Sequence, residues 1–577
     1  MAPGELLTVQ LGPRSNFVGS HFWNLQDELL GLQGDPNWPS LESYLYDGAL
    51  FSQGEKADGT PTYTPRVLIV DARGAAGSWS VQGELAGPRG AVAHPDAAPA
   101  APWGGATRTT RQDPVPESHF QRELRDWDAT GADTAGAGPA AETHADGASR
   151  LEAAAARLES DARYYTDFLK TYLHPKSIFE VPGIWAGAGS IEFRGFGAGL
   201  QLASAADVRD EIDDRLRHLA EECDHLQGFQ IMVDSGGWEG LASAIVPDIA
   251  DDYGPKPVLL FSMRDSAADA AASHAGALDA HPDYEGDDGD PYARIRQLSE
   301  GMALHRLSGC VGGYVPVDLS LAGVGGPDDA AGAGWPLYAS SALVASALDA
   351  VTSPCRAGGG AGAADAYWPE SLGAPVGAVS LPDMLRTVSG QRGPVACLSA
   401  SLPAARVGPG VLHAGARGLM GGLKGGVLGK GVRGEWVVAR GVRTRGASVS
   451  YARADVVEDA VARDMQGEGV PHVAGMTSLP VPSLLPVTFP ARLLERLGAE
   501  GACYGECKAP GCAVLTRLQS GTEVAGWVRG RREALRRAAG GAGGKALLAS
   551  WGCEEDDVLQ ATEELEEHAN MYEDEMH

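Results

Sequence analysis

The sequence predicts a doubly wound α/β fold with a parallel, Rossmann-like sheet, followed by an α+β domain and C-terminal helices. Three observations predict it. Two short apolar runs, residues 6–11 (LLTVQL) and 67–71 (VLIVD), have the length and continuity of strands buried on both faces. The first run leads through Gly12-Pro13-Arg14-Ser15 into a helical period that uses Val18, Phe22, Leu25 and Leu29. Residues 229–261 then read strand, glycine turn, helix, strand, which is the βαβ unit of a parallel sheet.

In order along the chain, Asn16 is placed to cap a helix running to about Leu30. Residues 151–173 form an alanine-rich helix stopped at His174-Pro175. A second helix over 207–226 puts Val208, Ile212, Leu216, Leu219, Cys223 and Leu226 on one face. Residues 229–233 are a strand, Asp234-Ser235-Gly236-Gly237 a turn, 238–253 a helix kinked at Pro247, and 258–261 the next strand. Beyond 370, strands are expected at 395–399 and 436–440, an extended connector at 480–490, and helices at 529–538, 545–550 and 558–571. Composition divides the chain into a segment 1–82, a low-complexity flexible insert 83–150, and a central domain 151–350 with a second insert at about 266–290. A second domain 370–528 carries a glycine-rich loop at 408–434, and 529–577 holds the terminal helices and acidic tail. The inserts, with shorter Gly/Ala runs at 323–334 and 356–366, have too little apolar content to offset the entropy of ordering.

Of 577 residues, 44% are apolar, enough for a sizeable core. A net charge of −30 argues against a nucleic-acid footprint and against adsorption to anionic lipid. Eight cysteines are too sparse for a disulfide framework and fit a reducing compartment. No apolar run reaches the length of a spanning helix, and residues 1–11 read as a strand rather than a signal peptide. A cytoplasmic protein is the expectation.

Glycine turns between strand and helix hold phosphates in α/β proteins, through backbone N–H groups and the helix N-terminus. Two such turns occur, at 12–16 and 235–240, and with the acid ending the second strand they give the candidates Gly12, Asn16, Asp71, Gly236, Gly237 and Gly240. Neither turn matches GxxxxGK[ST] or GxGxxG, and either alone reads as a structural loop. In the second, Trp238 adds bulk and Glu239 an anion where a phosphate would sit. The stretch 425–431 is one residue short of a P-loop and has glycine in place of the magnesium-binding Ser/Thr. Cys503, Cys507 and Cys512, with His472 as a fourth ligand, lack CxxC pairs and read as buried thiols rather than zinc ligands. His174 and His305 are lone histidines, and no GxSxG elbow is present. The tail 554–575 holds eleven acids and no Lys or Arg, behind a basic helix carrying Arg529, Arg531, Arg532, Arg536 and Arg537. It reads as a solvated terminal helix, with a surface for a basic partner as the alternative.

Several stretches resemble tubulin in order and spacing. Residues 9–23 (VQLGPRSNFVGSHFW) are similar to its first strand, phosphate loop and helix, 67–71 to its second strand, 223–230 (CDHLQGFQ) to the segment before its signature glycine loop, and 337–343 (LYASSAL) to a later helix. Within that tubulin/FtsZ-like superfamily, 167–178 (DFLKTYLHPKSI) and the NFVGSHFWNLQDE run resemble the Misato family. The resemblance covers about 1–82 and 160–350. It implies a protein of mitochondrial distribution, morphology, fusion and inheritance, linked to microtubules and the cytoskeleton. The implied partners are tubulin, chaperonin-type tubulin-folding machinery and mitochondrial surface proteins. The implied location is cytoplasmic, with peripheral association to the mitochondrial outer membrane. Departures from the tubulin pattern argue against GTPase design. Asp234-Ser235-Gly236-Gly237-Trp238-Glu239-Gly240 stands where tubulins carry GGGTGSG, Pro13 removes a donor, and only Pro382-Asp383 echoes the loop supplying a catalytic acid. No cofactor, catalytic residue or metal is therefore expected. The alternatives are a switch or weak GTPase holding GTP or GDP, and a polymerising cytoskeletal protein.

Overall fold

The computed structural model describes residues 3–31, 45, 47–55, 59, 61–79, 115–129, 140–185, 193, 195–269, 291–322, 335–357, 377–390, 392–402, 417–423, 428, 431–442, 456–457, 459–460, 473–479, 482–497, 502–503 and 510–573. β1 (Glu5–Leu11) is followed by an antiparallel hairpin, β2 (Phe51–Glu55) and β3 (Pro61–Pro65). Then come β4 (Val67–Arg73), β5 (Ile178–Trp185), β6 (Leu226–Asp234), β7 (Val258–Arg264) and β8 (Gly313–Asp318). The hairpin aside, these strands form one six-stranded sheet, all neighbours parallel, in the order β5-β4-β1-β6-β7-β8.

The pattern of the strands explains this burial. On one face Leu6, Val67, Ile69, Met232 and Phe261 join one core; on the other Leu7, Val9, Leu68, Val70, Ile231 and Leu260 join a second. Each buried Leu, Ile or Val stabilises the fold by roughly 1.5–3 kcal/mol relative to exposure. That is why these strands read as continuous apolar runs rather than alternating ones. The order reverses at β1, whose connections leave to β4 on one side while β6 lies on the other. Such a switch point opens a crevice at the carboxyl ends of the two central strands.

The helices are α1 (Pro13–Gly31), α2 (His119–Ala129), α3 (Ala140–Ala155), α4 (Leu158–Asp161), α5 (Phe196–Ala203), α6 (Ala206–Glu221), α7 (Gly237–Asp252) and α8 (Pro291–Ser308). They continue as α9 (Leu337–Thr352), α10 (Leu381–Ser389), α11 (Ala491–Leu497), α12 (Glu523–Ala539), α13 (Gly541–Ser550) and α14 (Glu555–Glu573). α9 is buried from Tyr338 through Thr352 because it lies between α1 and a second sheet. That sheet runs β10-β9-β16-β11-β12, with β9 (Cys397–Ser401), β10 (Arg417–Gly418), β11 (Val432–Arg440), β12 (Val473–Leu479) and β16 (Val514–Gly521). Only β11 and β12 pair in parallel there. A small sheet joins β13 (Ser483–Leu484), β14 (Ala502–Cys503) and β15 (Pro510–Cys512). A buried ionic knot ties these parts together: Asp349 on α9 meets Arg356 and Arg440, the last on β11, and Gln26 of α1 bridges Arg356 and Asp349.

Several expectations need correction. Part of the flexible insert 83–150 is helical: α2 and the start of α3 lie within it, and Phe120 and Leu124 reach the core. The remainder, 83–114 and 130–139, lies outside the described residues, as do 270–290, 323–334 and 358–366. The helix expected over 151–173 breaks after Ala155, and the single turn of α4 ends at Asp161. Past it, buried side-chain amides rather than helical bonds satisfy the backbone: Gln121 Nε2 donates to Thr166 O and Leu169 O, and Asn24 Nδ2 donates to Phe168 O. The Asp167 carboxylate likewise accepts from the N–H groups of Arg163 and Tyr164. The connector at 480–490 contains the short strand β13. The acidic tail is only half solvated: Val558, Leu565, Ala569 and Tyr572 are buried, and Arg529 of α12 pairs with Glu566 and Glu573. Among the described residues, no helix is long and apolar enough to cross a membrane.

Candidate functional site

The crevice at the switch point is built from the ends of β1, β4 and β6. Gly12 makes the turn out of β1 with a φ of +101°, a left-handed value that side chains disfavour. Pro13 opens α1, where its fixed φ suits the first helical position and no N–H is lost from the helix ladder. Asn16, expected to cap the helix, sits inside its first turn: its N–H donates to Gly12 O at 3.0 Å. Its side chain turns to the end of β4 and donates to Asp71 Oδ2 at 2.6 Å. Asp71 also accepts from the N–H of Ala72 at 2.7 Å. Burial pushes the Asp71 carboxyl up to about 7, although these two donors pull the other way. Tyr165 is buried nearby, and its phenol is pushed up by burial and then by the charges of Asp71 and Glu180.

The decisive residue is Asp234, the last residue of β6, which sequence reasoning placed only in a turn. Its Oδ2 accepts from Arg14 N at 2.8 Å, and its Oδ1 accepts from Ser15 N and Ser15 Oγ, both at 2.7 Å. The carboxylate thus lies against the positive N-terminus of α1, where anions are favoured. Burial raises the Asp234 carboxyl, while Arg14 and Ser15 oppose the rise. The Arg14 guanidinium folds over to Asp269 at 2.9 Å. The available signal was an acid closing β6 just before a glycine turn, parallel to Asp71 closing β4.

Gly236, Gly237 and Gly240 have another explanation. Gly236 takes a φ of +94° to turn from β6 into α7, and its N–H donates to the Glu239 carboxylate at 3.2 Å. A Cβ on Gly237 would strike the Phe193 carbonyl, and one on Gly240 the Phe196 carbonyl. These two glycines let α5 and its preceding turn pack closely on α7. Glu239 also departs from expectation: its carboxylate points away from α1, accepting from Ser262 Oγ at 2.6 Å and Tyr314 Oη at 3.3 Å. Burial pushes it up to about 7 against the pull of Ser262 and Arg264. Trp238 is the group that covers the first turn: a Cβ on Gly12 would lie 2.6 Å from its Cδ1 and 2.9 Å from Asp234 Cβ. Phe193 braces the indole edge-on at 4.8 Å.

The first turn leaves no free N–H for a nucleotide's phosphates. The N–H groups from 12 to 16 can be accounted for in full: Gly12 donates to Val70 O, Pro13 has none, Arg14 and Ser15 donate to Asp234, and Asn16 donates to Gly12 O. Of the remaining motifs, only part lies within the described residues. Cys503 and Cys512 lie on β14 and β15, while Cys507 and His472 fall outside the described residues, as does most of 425–431. His305 pairs with Glu564 at 3.3 Å, and His174 stacks on His218 at 5.2 Å.

Comparison with known proteins agrees with the fold. A tubulin domain matches residues 154–357, and a Misato Segment II tubulin-like domain matches residues 4–126. With the parallel sheet and its switch-point crevice, they define the chain as a divergent tubulin-like protein. Curated relatives sharpen the class. Protein misato homolog 1 of Danio rerio is 32% identical over 276 residues, covering 45% of each chain. Its human counterpart is 29% identical over 265 residues, again 45% of each. Protein DML1 of Gibberella zeae is 30% identical over 257 residues, 44% of this chain and 45% of its own. The chain is similar to the Misato family in these stretches, and it spans about half the length of the curated relatives it matches.

Proposed function

We propose that this chain is a non-enzymatic tubulin-like protein that governs mitochondrial distribution, morphology and inheritance by binding partners. It works in the cytoplasm and at the mitochondrial outer membrane, as a peripheral protein. Its partners are tubulin or the chaperonin-type machinery that folds tubulin, and mitochondrial surface proteins. The Misato relationship supports the cellular role. One observation carries the lack of turnover: every N–H of the first α1 turn is absent or already bound within the chain, two of them to Asp234. Each donor lost to a phosphate costs up to a few kcal/mol of binding, and a carboxylate in its place adds repulsion.

Denaturing the purified protein and chromatographing the supernatant tests this reading. The expected result is no nucleotide; GTP or GDP near one per chain refutes it. A GTP-binding switch is the second reading, favoured by the retained Gly12 turn and Asn16–Asp71 bond, and the same measurement decides it. Proximity labelling in cells, comparing the full chain with one lacking 554–577, identifies the partners. Recovery of tubulin-folding or mitochondrial surface proteins is expected.

A further inference from the structure

We propose that the Asp234 carboxylate is a built-in substitute for a bound oxyanion, so that the chain folds around its own anion at the head of α1. This deepens the reading above and rests on it. A 19-residue helix directs positive potential at its N-terminus, and an anion there is stabilising. Arg14 N, Ser15 N and Ser15 Oγ form a three-donor cradle, and both Asp234 oxygens fill it at 2.7–2.8 Å. The cradle is sealed: Asp234 is 2% exposed and Ser15 and Asn16 are fully buried. Next to it Asn16 spends its amide N–H on Asp71, so among the described residues the donors that face Asp234 are those of Arg14 and Ser15. The cradle therefore has the chemistry of an oxyanion site. Its size is that of one small anion, since the Trp238 indole closes over Gly12 beside it.

Asp234 then does two jobs that a bound phosphate would otherwise do. It neutralises the head of α1, and it ties α1 to β6 across the switch point. Removing its carboxylate leaves a vacancy of the size of formate, lined by three unsatisfied donors.

The test is chemical rescue of Asp234→Ala, followed by thermal denaturation. The variant is expected to melt several degrees below the native chain. Sodium formate restores most of that loss, whereas sodium chloride at equal ionic strength does not. The native chain gains nothing from formate. Asp234→Asn keeps the shape without the charge, and it is expected to melt low and not respond, because it leaves no vacancy. Orthophosphate is the second probe, and rescue by it shows that the cradle takes a tetrahedral anion too. Equal melting of native and Asp234→Ala overturns the proposal, as does formate raising all three proteins alike. If Asp234→Ala aggregates on expression, its refolding yield is the readout. A yield that rises with formate and not with chloride supports the proposal, and an unchanged yield overturns it. Nucleotide on the native chain would refute the functional reading itself. Absent rescue on a nucleotide-free chain refutes only the role given to Asp234.

Discussion

Replacing Asp349 by alanine probes the knot that joins the two sheets. The Asp349 carboxylate accepts from Arg356 Nη2 at 2.7 Å, from Gln26 Nε2 at 2.8 Å, and from Arg440 Nη1. Side-chain exposure is 1% for Asp349, 2% for Arg356 and 0% for Arg440. Burial alone would push this carboxyl up; the Arg440 and Arg356 guanidiniums overcome that and hold it below its ordinary value. Truncation leaves two guanidiniums buried with no carboxylate between them. Breaking one buried pair costs about 3–5 kcal/mol. Domains are stable by only about 5–15 kcal/mol, so the urea midpoint should fall by roughly a fifth or more. The control is Asp213→Ala on the surface, where the Arg217–Asp213 pair is 55% and 38% exposed and contributes about 0–1 kcal/mol. pH adds a second readout. A carboxyl held low contributes stability above the unfolded carboxylate range near 4, and that stability is lost as pH falls through the folded value. The variant should therefore lose part of the native chain's acid sensitivity. An Asp349→Ala unfolding free energy within about 0.5 kcal/mol of native, the range of ordinary surface changes, would show that the knot is not a structural tie.

Other perturbations have equally definite outcomes. Gly12→Ala forces a side chain into a φ of +101° and against Trp238, so it should lower the melting temperature, with about 1–3 kcal/mol from the backbone alone; an unchanged melting temperature would contradict the packed turn. Glu239, raised to about 7 by burial, binds its proton more tightly folded than unfolded, so its contribution is present near pH 4 and lost as pH rises through 7. Glu239→Gln should accordingly lose less stability than the native chain between pH 5 and pH 8 in urea titrations, and equal losses would refute this. Arg529→Ala releases Glu566, Glu573 and Asn570 and should speed proteolytic clipping of α14; an unaltered clipping rate would mean that α14 is held by its apolar face alone.

Much of the first sheet was legible because strands buried on both faces must be apolar throughout, as residues 6–11 and 67–71 are. The α6 stripe of Val208, Ile212, Leu216 and Leu219 was legible for the same reason in a helical period. The segment after Asp161 was not. Its backbone is satisfied by Gln121 and Asn24, which lie 45 and 144 residues away in sequence, and no local pattern encodes that. The packing role of the glycines at 237 and 240 was not legible either: a glycine needed for close helix packing looks the same in sequence as one needed beside a phosphate.

The sequence by itself determined the parallel sheet, the divergent tubulin-like identity and the turn at Gly12, because periodicity, turn chemistry and ordered motifs are local. Only the tertiary structure decided what fills the turn. Asp234 stands 220 positions from Arg14, and the adjacency of β1 and β6 brings its carboxylate to the head of α1. That pairing is set by strand order in space, and it is what fills the head of α1 with a carboxylate of its own chain.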